Sequence, residues 1–275
     1  MNFSVAILTL NEEHDLPAAL ASVAACDDVV VFDSFSTDKT CEIARAGGAR
    51  VSQRRFDNYA SHRNAALAVD YRHPWVLMLD ADERVPADLL DELSRVTAED
   101  DPSISLYRLR RKDMFCGKWI KHSSCYPTWF ARLMRVGKAR FIREINEDVV
   151  SDGKTAFLQQ HLVHYPFSKG VAYWVDRHNR YSTMEARALL AETAQAFRFR
   201  DIFSINPVLR RRALKQLAYR MPLRPMIVFI YLYFARFGCL DGRAGLSYCF
   251  LRTFYEFMID LKASELRRQD KGLQL

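Results

Sequence analysis

The sequence predicts an α/β fold: a parallel sheet flanked by helices, continued by a mixed α+β stretch and closed by a helical C-terminal extension. Three observations carry this prediction. Apolar strand-like runs alternate with helical patterns through the first 95 residues. From about residue 100 to 165 the periodicity becomes mixed. After His164 helical patterns take over.

The elements follow in order. SVAILTL (4–10), DVVVFDS (28–34), ARVSQ (49–53) and PWVLMLD (74–80) are short apolar runs bounded by polar residues and read as strands. DLPAALASVAA (15–25), DKTCEIARAG (38–47) and NYASHRNAALAVDY (58–71) lie between them with helical periodicity, and Gly47-Gly48 stops the second. SLYRLRR (105–111), WIKHSSCYPTWFARLMR (119–135) and short strands near 140 and 157 make up the mixed half. WVDRHNRYSTMEARALLAETA (174–194) opens the helical part. No repeat or low-complexity linker interrupts the chain.

Composition sets the outer limits. With 49% apolar and 27% charged residues over 275 positions, the chain can bury a sizeable core and is not a disordered segment. Its six cysteines form no CxxC pair and no metal-ligand spacing, so they read as thiols in a reducing compartment. FSVAILTL lacks a basic leader and runs into Asn11-Glu12-Glu13, so a signal peptide is not expected.

The net charge of +7 is concentrated. Between Arg198 and Arg224 there are eight Lys or Arg residues against Asp201 alone, and MIVFIYLYFA (226–235) follows directly. Ten apolar residues are too few to span a bilayer, which takes about 20. Basic residues beside apolar, aromatic helices instead predict a protein lying on an anionic membrane surface, with an ordinary core helix as the alternative. A nucleic-acid partner is not expected, because no helix-turn-helix, zinc-finger or RNP-like pattern accompanies the charge.

In parallel sheets, ligands bind outside the carboxyl ends of the strands. That rule gathers Thr9, Asn11 and Glu12 from the first strand and Asp33, Ser34, Ser36, Thr37 and Asp38 from the second. Asp80, Asp82 and Glu83 come from the fourth, with Arg63 and Asn64 in reach on the preceding helix. Three carboxylates within four residues repel one another unless something neutralises them. A divalent cation shared with a diphosphate would do so, since Mg²⁺ or Mn²⁺ is held by one or two carboxylates plus phosphate oxygens and water. The alternative is a solvated acidic turn. A phosphatase of the haloacid dehalogenase type does not fit, because Arg84 stands where its motif has Thr or Val and the motif falls on the fourth strand. A dinucleotide-binding turn is excluded because LTLNEEHDL contains no glycine. His161 and His164 read as satisfied structural histidines.

Taken together, T-x-N-E (9–12), D-S-x-S-T-D-x-T (33–40), H-R-N-A-A-L (62–67) and W-V-L-M-L-D-A-D-E (75–83) resemble the family-two glycosyltransferases of GT-A fold. R-x-I-N-E-D-V (143–149), H-x-V-H-Y (161–165), H-N-R-Y-S-T-M-E-A (178–186) and F-G-C-L-D-G-R-A-G (237–245) narrow the likeness to the bacterial branch that builds lipopolysaccharide cores and exopolysaccharides. The resemblance implies a GT-A catalytic domain over 1–165, with a nucleotide-binding half to 95 and an acceptor half beyond, and a membrane-associating helical extension over 166–275. It implies that Thr9, Asn11, Glu12 and Asp33 hold the uracil and ribose of a UDP-sugar. Asp38 would position the nucleotide-side loops, and Arg63 would contact base or phosphate. Asp80 and Asp82 would serve sugar ribose and a Mg²⁺ or Mn²⁺ ion. Glu147, with Asp148 as fallback, would be the base of an inverting transfer, and Asn146-Glu147 departs from the His-Glu common in the branch. Trp119, His122, Tyr126, Trp129 and Arg132 lie where the acceptor loop falls. The implied acceptor is a lipid-linked or lipopolysaccharide glycan at the cytoplasmic face of the inner membrane. A polyprenyl-phosphate glycosyltransferase and a nucleotide-sugar-binding protein without turnover are the competing readings.

Overall fold

A strand buried on both faces must be apolar at consecutive positions, and β1 (Phe3–Thr9) is: Phe3, Val5, Ala6 and Ile7 are fully buried. It lies between two parallel neighbours in a computed structural model that describes residues 1–142, 149–193, 198–204, 210, 213–214, 216–217, 219, 221 and 223–274. β2 (Val29–Asp33) and β4 (Trp75–Asp80) pair with it in parallel on either side, and β3 (Arg50–Gln53) adds to β2. The parallel pairs need crossovers, which are α1 (Leu16–Ser22), α2 (Thr40–Ala46) and α3 (Tyr59–Leu67). α2 ends where expected: Gly48 sits at φ +77°, the left-handed conformation that glycine adopts at least cost.

The sheet then turns mixed. β5 (Glu83–Arg84) and α4 (Ala87–Glu99) lead to the long strand β6 (Ile104–Phe115), followed by β7 (Lys118–Trp119), β8 (Trp129–Arg135), β9 (Ala139–Phe141), β10 (Val149–Ser151) and β11 (Lys154–His164). The order is β3-β2-β1-β4-β8-β6-β11-β5, with β8 antiparallel to both β4 and β6 and β11 parallel to β6. β9 and β10 form a separate ribbon. Alternate residues feed two cores. Val5, Ile7, Leu77 and Leu79 pack with Leu16 of α1 and Leu89 and Leu93 of α4. Ala6, Val76 and Met78 pack with Ala66 and Leu67 of α3.

The chain divides into two compact units. The first holds Met1–Met114 and Tyr126–Ser168, and the second holds Phe115–Cys125 and Lys169–Leu275. Phe115–Cys125 therefore groups with the helical residues, although its sequence lies inside the mixed half. The second unit contains α5 (Gly170–Thr193), α6 (Arg224–Ile230) continued by a π-helical turn to Ala235, and α7 (Gly242–Gln269). Gly245 touches the backbone of Gly238 so closely that a Cβ there would lie 2.3 Å from the Gly238 oxygen. Asp241, between them, accepts hydrogen bonds from the backbone N–H of Ser123 (2.8 Å) and its hydroxyl (2.7 Å). That is the structural content of the F-G-C-L-D-G-R-A-G segment.

Candidate active site

The carboxyl ends of β1, β2 and β4 lie level, with Thr9 beside Asp33 and Leu8 beside Asp80. The loops after β1 and β2 cross-brace each other. Asp33 is fully buried and accepts from Thr9 Oγ1 (3.0 Å), Gln53 Nε2 (2.9 Å), the Ser36 N–H (2.9 Å) and the Ser36 hydroxyl. Burial opposes its charge, and the hydrogen bonds from Ser36 and Gln53 outweigh burial and hold it below the usual carboxylate range. Asn11, at φ +55°, accepts the Thr37 N–H at 2.8 Å. Asp38 accepts the N–H groups of Glu13 (3.1 Å) and Thr40 (3.0 Å), while Thr40 Oγ1 takes the N–H of Glu12 at 2.8 Å. Thr9, Asn11, Glu12, Asp33 and Asp38 are thus brought together as one braced loop pair, with Phe35 half exposed at its rim.

α3 is set in place by its N-cap, where Asn58 Oδ1 accepts the Ser61 N–H at 2.8 Å. This aims Arg63 at β4. Its Nη2 donates to Asp80 Oδ1 at 2.9 Å, and Arg132 Nη2, from β8, donates to Asp80 Oδ2 at 2.9 Å. Arg132 also donates to Glu83 Oε1 at 2.8 Å, and Glu83 Oε2 accepts the Asp80 N–H at 3.0 Å. The DADE turn is therefore locked by a buried ion network. Burial disfavours the Asp80 charge, but Arg63 and Arg132 overwhelm that penalty and its pKa lies well below the carboxylate range.

Two of the expected site residues belong to this network. Arg132, expected among acceptor-facing residues, has a side chain only 1% exposed and is committed to Asp80 and Glu83. Asp80, expected to serve both ribose and metal, meets a guanidinium at each oxygen and keeps its side chain 30% exposed.

Asp82 lies two residues on. His164, at the end of β11, lies beside Asp82: His164 Nε2 and Asp82 Oδ2 are 3.3 Å apart. The other ring nitrogen, Nδ1, is 2.6 Å from Asp113 Oδ1, and Arg111 Nε donates to the same oxygen at 2.9 Å. Burial and Arg111 each push the His164 pKa down, and Asp82 and Asp113 reverse that and push it up to about 9. A carboxylate behind an imidazole whose far nitrogen meets a second carboxylate is the support found behind metal-bound histidines. Among the described residues no three His, Cys, Asp or Glu side chains are grouped to hold a metal. Asp82 with His164 supplies two donors, and Mg²⁺ or Mn²⁺ is content with so few when phosphate oxygens and water complete its shell. The residues present fit such an ion if His164, kept protonated by Asp82 and Asp113 in its absence, gives up its Nε2 proton on binding.

Strand period explains why His164 was hard to read. Residues three apart on a strand point to opposite faces. His161 faces Tyr126, with Nε2 at 2.6 Å from the phenol oxygen, and is a satisfied structural histidine as expected. His164 faces the acidic turn. The remaining acceptor expectations divide between the units. Tyr126 and Trp129 lie in the first, both within cation–π range of Arg110. Trp119 and His122 lie in the second, where the His122 N–H is tied to Asp241. Glu147 and Asp148 lie outside the described residues.

A mixed sheet flanked by helices, with a braced polar edge at the carboxyl ends of its parallel strands, is the frame of a GT-A-like fold. The glycosyl transferase family 2 model matches residues 4–164, and the chain belongs to that family of glycosyltransferases. It is 27% identical over 264 residues to the lipopolysaccharide core biosynthesis glycosyltransferase LpsC of Rhizobium meliloti, covering 93% of this chain and 86% of that one. It is 29% identical over 209 residues to the uncharacterized glycosyltransferase RT0209 of Rickettsia typhi, covering 72% and 71%. Among solved structures, the mannosyltransferase PcManGT of Pyrobaculum calidifontis, in complex with GDP-Man and Mn²⁺, shares the fold with a TM-score of 0.54 at 16% identity, covering 96% of this chain and 86% of that one.

Proposed function

We propose that the protein is a metal-dependent inverting hexosyltransferase that uses a nucleotide sugar, a UDP-sugar by preference, and a lipid-linked or lipopolysaccharide glycan acceptor at the cytoplasmic face of the inner membrane. The observation that carries this is the Asp82–His164–Asp113 arrangement beside the Arg-clamped Asp80. The acceptor class rests on the similarity to LpsC.

Asp82 and His164 would hold Mg²⁺ or Mn²⁺, which when bound supplies positive charge to the diphosphate leaving group. The chain's own residues do the rest. The braced loops of Asn11, Glu12 and Asp33 offer donors and acceptors to base and ribose. Arg63 and Arg132 hold Asp80 ionised and oriented, so that its exposed edge accepts from a sugar hydroxyl. Asp113 fixes the ring of His164 so that Nε2 faces the diphosphate. An acidic side chain, Glu147 with Asp148 as alternate, takes the proton of the acceptor hydroxyl as that oxygen attacks the anomeric carbon. Tyr126 and Trp129 offer ring faces to an acceptor sugar.

A thermal-shift screen of nucleotide sugars with and without Mn²⁺ tests the reading, because a ligand that binds only the folded state raises the melting temperature. A Mn²⁺-dependent shift with UDP-sugars is expected. Equal shifts without metal, or none with any nucleotide sugar, would overturn it.

A further inference from the structure

The helical unit exposes apolar side chains where a soluble helix would present polar ones. Along α6 and its π-helical continuation, Met226, Ile230 and Phe234 are each more than half exposed, at helical spacing, and Phe237 and Leu240 continue the row through the elbow. Along α7, Phe250, Phe254, Phe257 and Leu261 repeat the pattern at i, i+4, i+7 and i+11. The two rows are one surface. Phe250 meets Phe229 at 4.9 Å between ring centroids, Phe229 stacks on Tyr233 at 5.5 Å, and Tyr233 meets Phe234 at 5.0 Å. Single exposed apolar residues need no explanation, but a connected patch of this kind marks a binding surface.

Charge identifies the occupant. Residues 198–252 contain eleven Lys or Arg against Asp201 and Asp241, a net +9 in a chain of net +7. Three of the four acids of the helical pair are paired within the helical unit, and the fourth, Glu265, is half-buried near its C-terminal end. Asp241 is buried against Ser123, while Glu256 (2.6 Å) and Asp260 (2.7 Å) are spent on the buried Arg224. A second copy of the chain would set +9 against +9. An anionic lipid leaflet satisfies both the apolar rows and the basic flank. Depth follows from helix geometry. Among the described residues no single helix is long and apolar enough to cross a membrane, and the Arg224–Ala235 and Gly238–Gln269 helices, which would be so only together, are bent by 72°.

We infer that the bent pair α6–α7 inserts as a hairpin into one leaflet of an anionic bilayer, with Phe234, Phe237 and Leu240 at its leading elbow. This deepens the membrane side of the proposed function, on which it rests only for its biological sense. Flotation of the full chain with phosphatidylcholine vesicles, and with vesicles also containing phosphatidylglycerol, tests it. Co-flotation with the anionic vesicles is expected. Ile230→Ser/Phe234→Ser and Phe254→Ser/Phe257→Ser should each weaken partitioning by on the order of tenfold per ring or branched side chain removed. Mn²⁺-dependent hydrolysis of a soluble donor should be unchanged in both, so loss of hydrolysis in the parent would count against the enzymatic reading and not against the hairpin. If a double variant melts early, Tyr231→Trp decides, since quenching of its fluorescence by brominated lipid supports insertion and its absence contradicts it. A parent that stays unbound, variants that float like the parent, or a patch-dependent dimer in sedimentation would each overturn the inference.

Discussion

The carboxyl edge of the sheet and the helical unit break opposite rules of globular proteins. At the edge, charged groups are buried: Glu83 and Asp33 are fully inaccessible and Arg132 nearly so. In the helical unit, apolar groups are exposed, with Leu223 at 75% and Leu240 at 69%. Each departure costs stability, and each is tolerated in a different way. Buried charges persist because every oxygen has a donor, so removing one partner strands the others. Exposed apolar groups make few contacts, so replacing them barely affects the fold. The difference teaches where to look for function: at the edge in fixed geometry, in the helices in unused surface.

The largest expected effect comes from breaking the edge. Glu83→Ala leaves Arg132 buried with half its partners and frees the Asp80 N–H, and should cost about 3–5 kcal/mol in urea unfolding, as truncation of a buried pair does. Phe254→Ser on the helical unit should cost well under that. Equal losses would erase the contrast. Next, Asp113→Asn keeps the shape of the site but weakens the support of His164, and should lower Mn²⁺ affinity by about 10–100-fold with little change in melting temperature; calorimetric titration with Mn²⁺ checks it. Asn58→Ala removes the cap of the helix that aims Arg63. It should cost about 1 kcal/mol and raise the donor KM more than it lowers kcat.

The smallest effect concerns His178, half-buried in the helical unit's aromatic packing. His178 stacks on Trp174 with centroids 3.6 Å apart and meets Tyr255 at 5.0 Å, and its Nδ1 lies 2.8 Å from the Trp174 carbonyl oxygen. Burial, with help from Arg177 and Arg252, pushes its pKa down to about 4. The folded state holds it neutral while the unfolded state charges near pH 6.5, so its contribution is full above about pH 6.5 and is lost as pH falls toward 4. Melting temperatures at pH 7 and pH 5 should differ more for the parent than for His178→Phe. A variant with the same pH dependence would remove His178 from the account.

The parallel half of the fold was legible because its strands are buried on both faces and its helices are local. β1 to β4 and α1 to α3 fall within a few residues of the ranges read from periodicity. The antiparallel half was not, because the placement of β8 between β4 and β6, and of β5 on β11, depends on pairings between distant segments. The site divides in the same way. Thr9, Asn11, Asp33, Asp38, Asp80 and Asp82 follow from a rule about strand ends. His164, Asp113 and Arg111 arrive from β11 and β6 and could be placed only by register, with His164 opposite Asp113 on β11 and β6. Arg132 was read with the acceptor loop because the resemblance places that segment there, and its contact with Asp80 and Glu83 depends on the pairing of β8 with β4. The assignment of Glu147 and Asp148 still rests on resemblance alone.

The central claim is that Asp82 and His164 hold the cation that meets the donor diphosphate. Calorimetric titration of Mn²⁺ into the full chain saturated with UDP, and into its Asp82→Asn and His164→Ala variants, tests it most directly. One UDP-dependent Mn²⁺ per parent chain is expected, with at least about tenfold weaker binding in each variant. Variants that take up Mn²⁺ like the parent, or uptake indifferent to UDP, would contradict it.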